Sequence, residues 1–277
     1  MIAAANRAEL SDADLSRIAR LVYERSGITL HDGKRELIVA RLQKRLRALD
    51  LVSYGEYLAR VEADASGAEL TALLDAIATN HTYFFREEEH FKYLTQRIVP
   101  EWRAARRDRL KMWCAACSTG QEPYTIASSL GVLDPPVDFE MLASDLSTKA
   151  LAAARAGVYK VGDLAAVPQD ILRRCFEKGM GAQEGLARIH PSLQKRIAFR
   201  QLNLLEITSL GQQFDVIFCR NVMIYFDRAV QQRVVAMLER HLAPGGYLFI
   251  SHSESLNAVT HQLRWIAPAL YRRVLNA

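Results

Sequence analysis

Two hydrophobic rhythms divide the 277 residues. As far as about residue 99 the apolar positions recur every three or four residues, which is the period of an α-helix. The stretch "SDADLSRIARLVYERSG" opens at Ser11, a residue type that accepts the free N–H groups of a first turn, and stops at Gly27. In "GKRELIVARLQKRLRALD" the residues Ile38, Leu42, Leu46 and Leu49 share one face. "YGEYLARVEA" and "AELTALLDAIATN" continue the pattern, and Pro100 with "EWRAARRDR" predicts a linking helix. From about residue 110 the rhythm changes. "LKMWCAAC", "DFEMLASD", "FDVIFCRN" and "GYLFISHS" are short apolar runs, separated by helical stretches such as "EPYTIASSLGVL", "STKALAAARAG" and "RAVQQRVVAMLERHL". Strands of that kind alternating with helices predict a doubly wound, mostly parallel sheet covered on both faces. The expected organisation is a helical domain over residues 1–99 and an α/β domain over residues 100–277.

Residues 157–200 interrupt the alternation. "GLARIH" and "KRIAFRQL" alternate apolar and polar positions, so a helical start followed by a small antiparallel sheet is expected there as an insert.

Ligands of open α/β sheets bind beyond the carboxyl ends of the strands, so the residues that close each apolar run are the candidates for chemistry. The first run closes on Cys117, Ser118, Thr119 and Gly120 before a helical segment, with one glycine where a dinucleotide fingerprint needs G-x-G-x-x-G. A pyrophosphate cradle is therefore not expected. The second run closes on Ser144 and Asp145, and a carboxylate there can accept from a ribose diol or cap the next helix. A nucleoside without a diphosphate suits both ends.

Cys114 and Cys117 form a C-x-x-C, but Cys114 lies inside an apolar run rather than at a helix start, and Cys175 and Cys219 stand alone. The pair reads as strand packing, with neither a redox nor a zinc role, and no metal is expected. Four cysteines are too few for a disulfide scaffold. No apolar run approaches the ~20 residues that span a bilayer, and "MIAAANRAELSD" lacks an export signal's apolar core, so a cytoplasmic protein without membrane insertion is expected. A net charge of +5 is mild and points to a locally basic surface, with no nucleic-acid partner expected.

Six blocks then occur in a fixed order: "NHTYFFRE", "CSTGQEPYTIA", "ASDLSTKALAAARAGVY", "NLL", "FDVIFCRNVMIYFD" and "LAPGGYLFISHSESL". Together they resemble the chemotaxis receptor methyltransferases, the CheR family, over nearly the whole chain. The resemblance implies a class I adenosylmethionine-dependent methyltransferase fold with an N-terminal helical domain and an inserted β-subdomain. It implies methyl transfer from S-adenosylmethionine to glutamate side chains of chemoreceptors, with S-adenosylhomocysteine as product.

By the same resemblance the cofactor meets Asn80, Thr82, Arg86, Glu122, Asp145, Asn203, Leu204, Arg220 and Asn221. Asn80 is equally a helix-cap residue type, and Arg86 equally a solvated partner of Glu87 to Glu89. A charge such as Arg220 at the end of a buried strand needs a reason. A glutamate carboxylate is already nucleophilic at neutral pH, so the chemistry needs positioning more than a base. Arg86 and Tyr225 are the expected catalytic positioning pair, the alternative for the second being a core aromatic with its hydroxyl at the surface.

Between Gly33 and Leu49 there are six basic residues and one acidic one. Lys34, Arg41, Lys44 and Arg45 share part of the helix circumference, either as a solvated face or, by resemblance, as a docking face for the acidic cytoplasmic signalling domain of a chemoreceptor. Some members of the family bind a receptor's C-terminal pentapeptide on the β-subdomain. The loop with Gly179, Gly181 and Gly185 resembles theirs, with Arg173 and Arg188 as anion partners, although the glycines also suit a plain hairpin. A monomer is expected. The rival readings are a small-molecule methyltransferase of the same fold and a catalytically silent receptor adaptor.

Overall fold

The computed structural model describes residues 9–30 and 32–274. Residues 1–8, part of the start that was read for an export signal, lie outside the described residues. The chain forms two compact units, Met1–Thr79 with Tyr225–Asp227, and Asn80–Ile224 with Arg228–Ala277.

Among the described residues the first unit holds four α-helices: α1 (Asp12–Ser26), α2 (Arg35–Ala48), α3 (Tyr54–Ala63) and α4 (Ala68–Ile77). Their ends follow the punctuation of the sequence. Ser11 accepts the Asp14 N–H at 3.1 Å, Gly27 closes α1 at φ 73°, and Ser53 accepts the Glu56 N–H at 3.2 Å. Ile18, Val22, Ile38, Leu42, Leu46, Tyr57, Leu58 and Leu73 are buried among the helices. Three residues from far along the chain complete this unit. Ile28 bridges Phe226, the Thr29 N–H donates to the Tyr225 carbonyl at 2.9 Å, and the Tyr23 hydroxyl donates to Asp227 at 2.6 Å.

The second unit starts at Asn80, earlier than the boundary at residue 99 that the helical periodicity suggested. Helices α5 (Glu89–Tyr93) and α6 (Val99–Ala104), joined by a π-helical turn at Leu94–Ile98, place Phe91, Leu94, Ile98 and Val99 in one core with Leu110 and Met112. Periodicity reports that a helix has an apolar face, and not which core that face meets.

The main sheet contains β1 (Leu110–Cys114), β2 (Phe139–Asp145), β6 (Ile197–Gln201), β7 (Phe214–Phe218), β8 (Leu242–Phe249), β9 (Leu263–Ala267) and β10 (Leu270–Arg273), in the order β6-β2-β1-β7-β8-β10-β9. Pairings from β6 to β8 are parallel, and β10 runs antiparallel to both its neighbours. Helices α7 (Gln121–Gly131) and α8 (Thr148–Ala156) contribute Tyr124, Ile126, Leu130 and Leu151 to the core beside Met112, Met141 and Val216. On the opposite face Trp113 meets His241 of α11 (Arg228–His241) and donates its indole N–H to the Ser144 hydroxyl at 2.9 Å.

A second sheet, ordered β3-β5-β4, is built from β3 (Val158–Lys160), β4 (Phe176–Lys178) and β5 (Leu186–Ile189), with α9 (Gln169–Cys175) between β3 and β4. The expected antiparallel insert is present, with one correction. Part of "KRIAFRQL" forms β6, an edge strand of the main sheet after α10 (Pro191–Gln194), because its register pairs Ile197 with Met141 and Phe199 with Ala143 of β2. Alternation marks a strand with one open face, and an edge strand of a parallel sheet has the same signature as a hairpin strand.

Candidate active site

The strand order reverses between β1 and β7, which is where an open α/β sheet splays to admit a ligand. The loop after β1 is held to its neighbours on both sides. The Ala115 N–H donates to the Phe218 carbonyl at 2.8 Å, and the Cys117 N–H to the Ser144 carbonyl at 2.9 Å. Gly120, before α7, sits at φ 98°, and a Cβ there would lie 2.6 Å from the Tyr159 hydroxyl and 3.0 Å from the Ala154 Cα. This glycine is required by the close packing of its own loop against Ala154 of α8 and Tyr159 of β3.

Asp145 fastens the same loop. It accepts the Ser118 N–H at 2.7 Å with Ser118 at φ 49°, and it accepts the Ser147 N–H at 2.9 Å. Ser147, and not Asp145, supplies the side-chain cap of α8. The Ser118 hydroxyl donates to the Asn80 carbonyl at 3.3 Å, and the Leu202 N–H to the Asp145 carbonyl at 3.1 Å. Asn203 accepts the Leu205 N–H at 3.1 Å, and Leu204 is buried. Asn80, Asp145 and the segment at Asn203–Leu204 are thereby linked through short bonds, and Thr82 is half-buried in the segment that follows Asn80.

Arg220 ties the other half of the set together. Its side chain is 1% exposed, reaches Glu122 at 2.5 Å and Glu87 at 3.1 Å, and donates to the Arg86 carbonyl at 2.6 Å. The two carboxylates hold the guanidinium protonated against the opposing effect of burial. Its Nε has no partner among the described residues, so one buried donor remains for a bound group. Glu122 also accepts the Cys114 thiol at 3.1 Å. Burial and the neighbouring Glu122 push that thiol well above its ordinary range, and all four cysteines are buried and free. Both cysteines of the C-x-x-C are buried, and Cys114 adds a hydrogen bond to Glu122.

Glu87, His90, Ser251 and His252 were not picked out from the sequence. Burial alone would raise the Glu87 carboxyl, but the Ser251 hydroxyl at 2.7 Å and the Arg220 charge bring it down to about 2. His90 is buried with neither ring nitrogen hydrogen-bonded among the described residues, and burial together with Arg220 lowers it to about 3. It stacks on His252 at 4.8 Å. Glu87, His90 and His252 bring donor atoms within 4.8 Å of one another, but a cation there would have to share Glu87 with the Arg220 guanidinium.

This cluster makes the unit acid-sensitive. His90 has a depressed pKa in the folded state, so its contribution is complete above the ordinary value of 6.5 and is lost as pH falls from there toward about 3. Glu87 has the same sign over a lower window, from 4.5 toward about 2. We predict that urea unfolding will show stability falling from pH 7 to pH 4, and that His90→Phe will flatten the decline between pH 6.5 and 4. An unchanged slope in that variant would contradict the assignment.

The remaining expected residues are not all placed alike. Arg86 lies over the Tyr83 ring at 5.7 Å and donates to the His81 carbonyl at 3.3 Å. Tyr225 belongs to the first unit, half-buried beneath the Lys34 ammonium at 5.3 Å. On α2, Arg41 donates to the carbonyls of Ile77 at 2.6 Å and Ala78 at 3.1 Å, closing the end of α4, while Arg45 grips Glu69 through two hydrogen bonds. These two arginines hold the helical unit together, whereas Lys44 and Arg47 project into solvent. In the small sheet Arg188 pairs with Glu177 at 2.6 Å across β5 and β4, and Arg173 bonds the Gln169 carbonyl of its own helix at 3.2 Å. Gly181 and Gly185 adopt φ 58° and 83°, and a Cβ on Gly179 would strike the Gln183 carbonyl. Turn geometry alone accounts for those glycines.

Carboxylates at the switch point of a seven-stranded α/β sheet, preceded in the chain by a helical unit, are the architecture of a class I adenosylmethionine-dependent methyltransferase. Residues 80–270 match the model of the CheR methyltransferase SAM-binding domain, and residues 13–78 match that of the CheR methyltransferase all-alpha domain. The chain belongs to the CheR methyltransferase family, and S-adenosylmethionine is its cofactor. It is 40% identical over 270 residues to the chemotaxis protein methyltransferase of Salmonella typhimurium, covering 96% of this chain and 91% of that one. To the chemotaxis protein methyltransferase of Escherichia coli K12 it is 40% identical, covering 91% and 87%. Chemotaxis protein methyltransferase 2 of Pseudomonas aeruginosa is 38% identical, with 93% and 92% covered. No helix among the described residues is long and apolar enough to cross a membrane.

Proposed function

We propose that this chain methylates glutamate side chains on the cytoplasmic signalling domain of a chemoreceptor, forming methyl esters and S-adenosylhomocysteine. The observation that carries the reading is the ion-paired assembly of Arg220, Glu122 and Glu87, in a chain that matches a chemotaxis protein methyltransferase over 96% of its length. Asp145 and Glu122 are the acceptors suited to the hydroxyl and ammonium groups of the cofactor. Asn80, Thr82, Asn203, Leu204 and Asn221 would border it, and Arg220 would hold Glu122 in place.

The cofactor supplies a methyl group on a cationic sulfur, and the glutamate supplies an anionic oxygen. Transfer neutralises both charges, so the protein helps by excluding water and by holding oxygen, methyl carbon and sulfur in line. A glutamate with an ordinary pKa of about 4.3 is ionised at neutral pH and needs no general base. Arg86 is the group suited to anchor one carboxylate oxygen of the substrate. The rival small-molecule reading leaves the basic helical unit without a use.

Docking is assigned to the exposed Lys44 of α2 and to the half-buried Lys34 just before that helix, as partners of receptor carboxylates. Lys44→Glu is expected to lower receptor methylation several-fold at low salt while leaving adenosylhomocysteine affinity intact, and the wild-type rate should fall as salt rises. A salt-independent rate would remove the docking face. A receptor C-terminal pentapeptide adding to an edge of the small sheet remains part of the proposal, tested by calorimetry with the isolated peptide. The function itself is tested by label transfer from methyl-labelled adenosylmethionine to receptor signalling domains. Incorporation should vanish when the receptor's methylation-region glutamates are changed to alanine, and label persisting in that receptor would refute the assignment.

A further inference from the structure

The turn that follows β7 is folded around one carboxylate from a distant segment. Glu254 accepts the N–H groups of Val222 at 3.0 Å, Met223 at 2.8 Å and Ile224 at 3.3 Å on one oxygen. Its other oxygen accepts those of Asn221 at 3.2 Å and Ser251 at 2.8 Å. A carboxylate offers about four lone-pair sites, so its capacity is fully used. The turn needs such a fastening, because Asn221 is held at φ 57°, a left-handed conformation that non-glycine residues adopt at a cost. The Asn221 amide in turn donates to the Ser251 hydroxyl at 2.6 Å, and that hydroxyl bonds Glu87, the partner of Arg220. One acidic side chain therefore sets the backbone of the Asn221 turn and is coupled to the ion-paired cluster beside it.

We infer that Glu254 is a positioning residue for cofactor binding, fixing Asn221 and its turn in the conformation that meets adenosylmethionine. The inference rests on the reading that Asn221 borders the cofactor. Neutralising the carboxylate exchanges an acceptor for an amide, which turns a donor toward backbone N–H groups and releases the turn. The group does not touch the cofactor itself.

A double-mutant cycle on adenosylhomocysteine affinity, measured by calorimetry on the full chain, separates positioning from general structural support. E254Q and N221A are each expected to weaken binding roughly tenfold or more, as for loss of a charged or buried hydrogen bond. The double variant should bind no more weakly than the poorer single one, because Glu254 acts through Asn221. Losses that multiply, or a folded E254Q with wild-type affinity, overturn the inference. Wild-type affinity in N221A has a separate meaning: it removes Asn221 from the cofactor site, and this inference falls with it. If E254Q does not fold, E254D replaces it in the same cycle. That variant keeps the charge but withdraws the carboxylate by one methylene, and wild-type affinity in it would equally count against the positioning role.

Discussion

Arg220→Leu is expected to be the most damaging single change in this chain. It removes the cation between Glu87 and Glu122 and leaves two largely buried carboxylates facing each other. Removing one partner of a buried ion pair typically costs about 3–5 kcal/mol, because the remaining charge loses its compensation. The Arg86 carbonyl also loses its donor, so the segment that carries the expected substrate anchor is released. Denaturant unfolding should show a loss of that order, and adenosylhomocysteine binding should disappear from calorimetry. Adding Glu122→Gln to the variant should restore part of the stability but not the binding. A folded Arg220→Leu protein with normal affinity would show that the cluster is not part of the cofactor site.

Gly120→Ala is expected to be the second most damaging. The added methyl would lie 2.6 Å from the Tyr159 hydroxyl and 3.0 Å from the Ala154 backbone, at a φ of 98° that side chains avoid. The Tyr159 hydroxyl donates to the Thr119 carbonyl at 2.8 Å, so it cannot swing away without losing that bond. Overpacking and the backbone conformation together suggest a cost of roughly 2–5 kcal/mol. The displaced loop is the one fastened by Asp145, so cofactor affinity should fall with stability. Unchanged affinity and unfolding midpoint would mean that α8 yields more readily than its packing implies.

Much of this was legible before any coordinates. Caps at Ser11 and Gly27, four amphipathic helices and the strand-helix alternation follow from local chemistry, which acts over a few residues. Arg220 was visible as a charge ending a buried strand, and Asp145 as a carboxylate ending another. The illegible parts depend on residues far apart in sequence. Nothing within "EEEHF" separates half-buried Glu87 and buried His90 from the solvated Glu88 and Glu89, since the difference is made by Arg220 and Ser251. Arg41 and Arg45 look like a solvated face until the end of α4 and Glu69 arrive to meet them. Glu254 stands in "SHSES", just past a buried strand, so the strand-end rule that singles out Asp145 covers it too.

The chemistry of the bond that is formed tests the account most directly. Receptor signalling domain labelled by this enzyme from methyl-labelled adenosylmethionine should be treated with mild base and the volatile methanol collected. A glutamyl methyl ester predicts that essentially all protein-bound label is released as methanol, and that none is released from receptor incubated with the Arg220→Leu variant. Label that survives base would identify an amine or other stable acceptor and contradict carboxyl methylation.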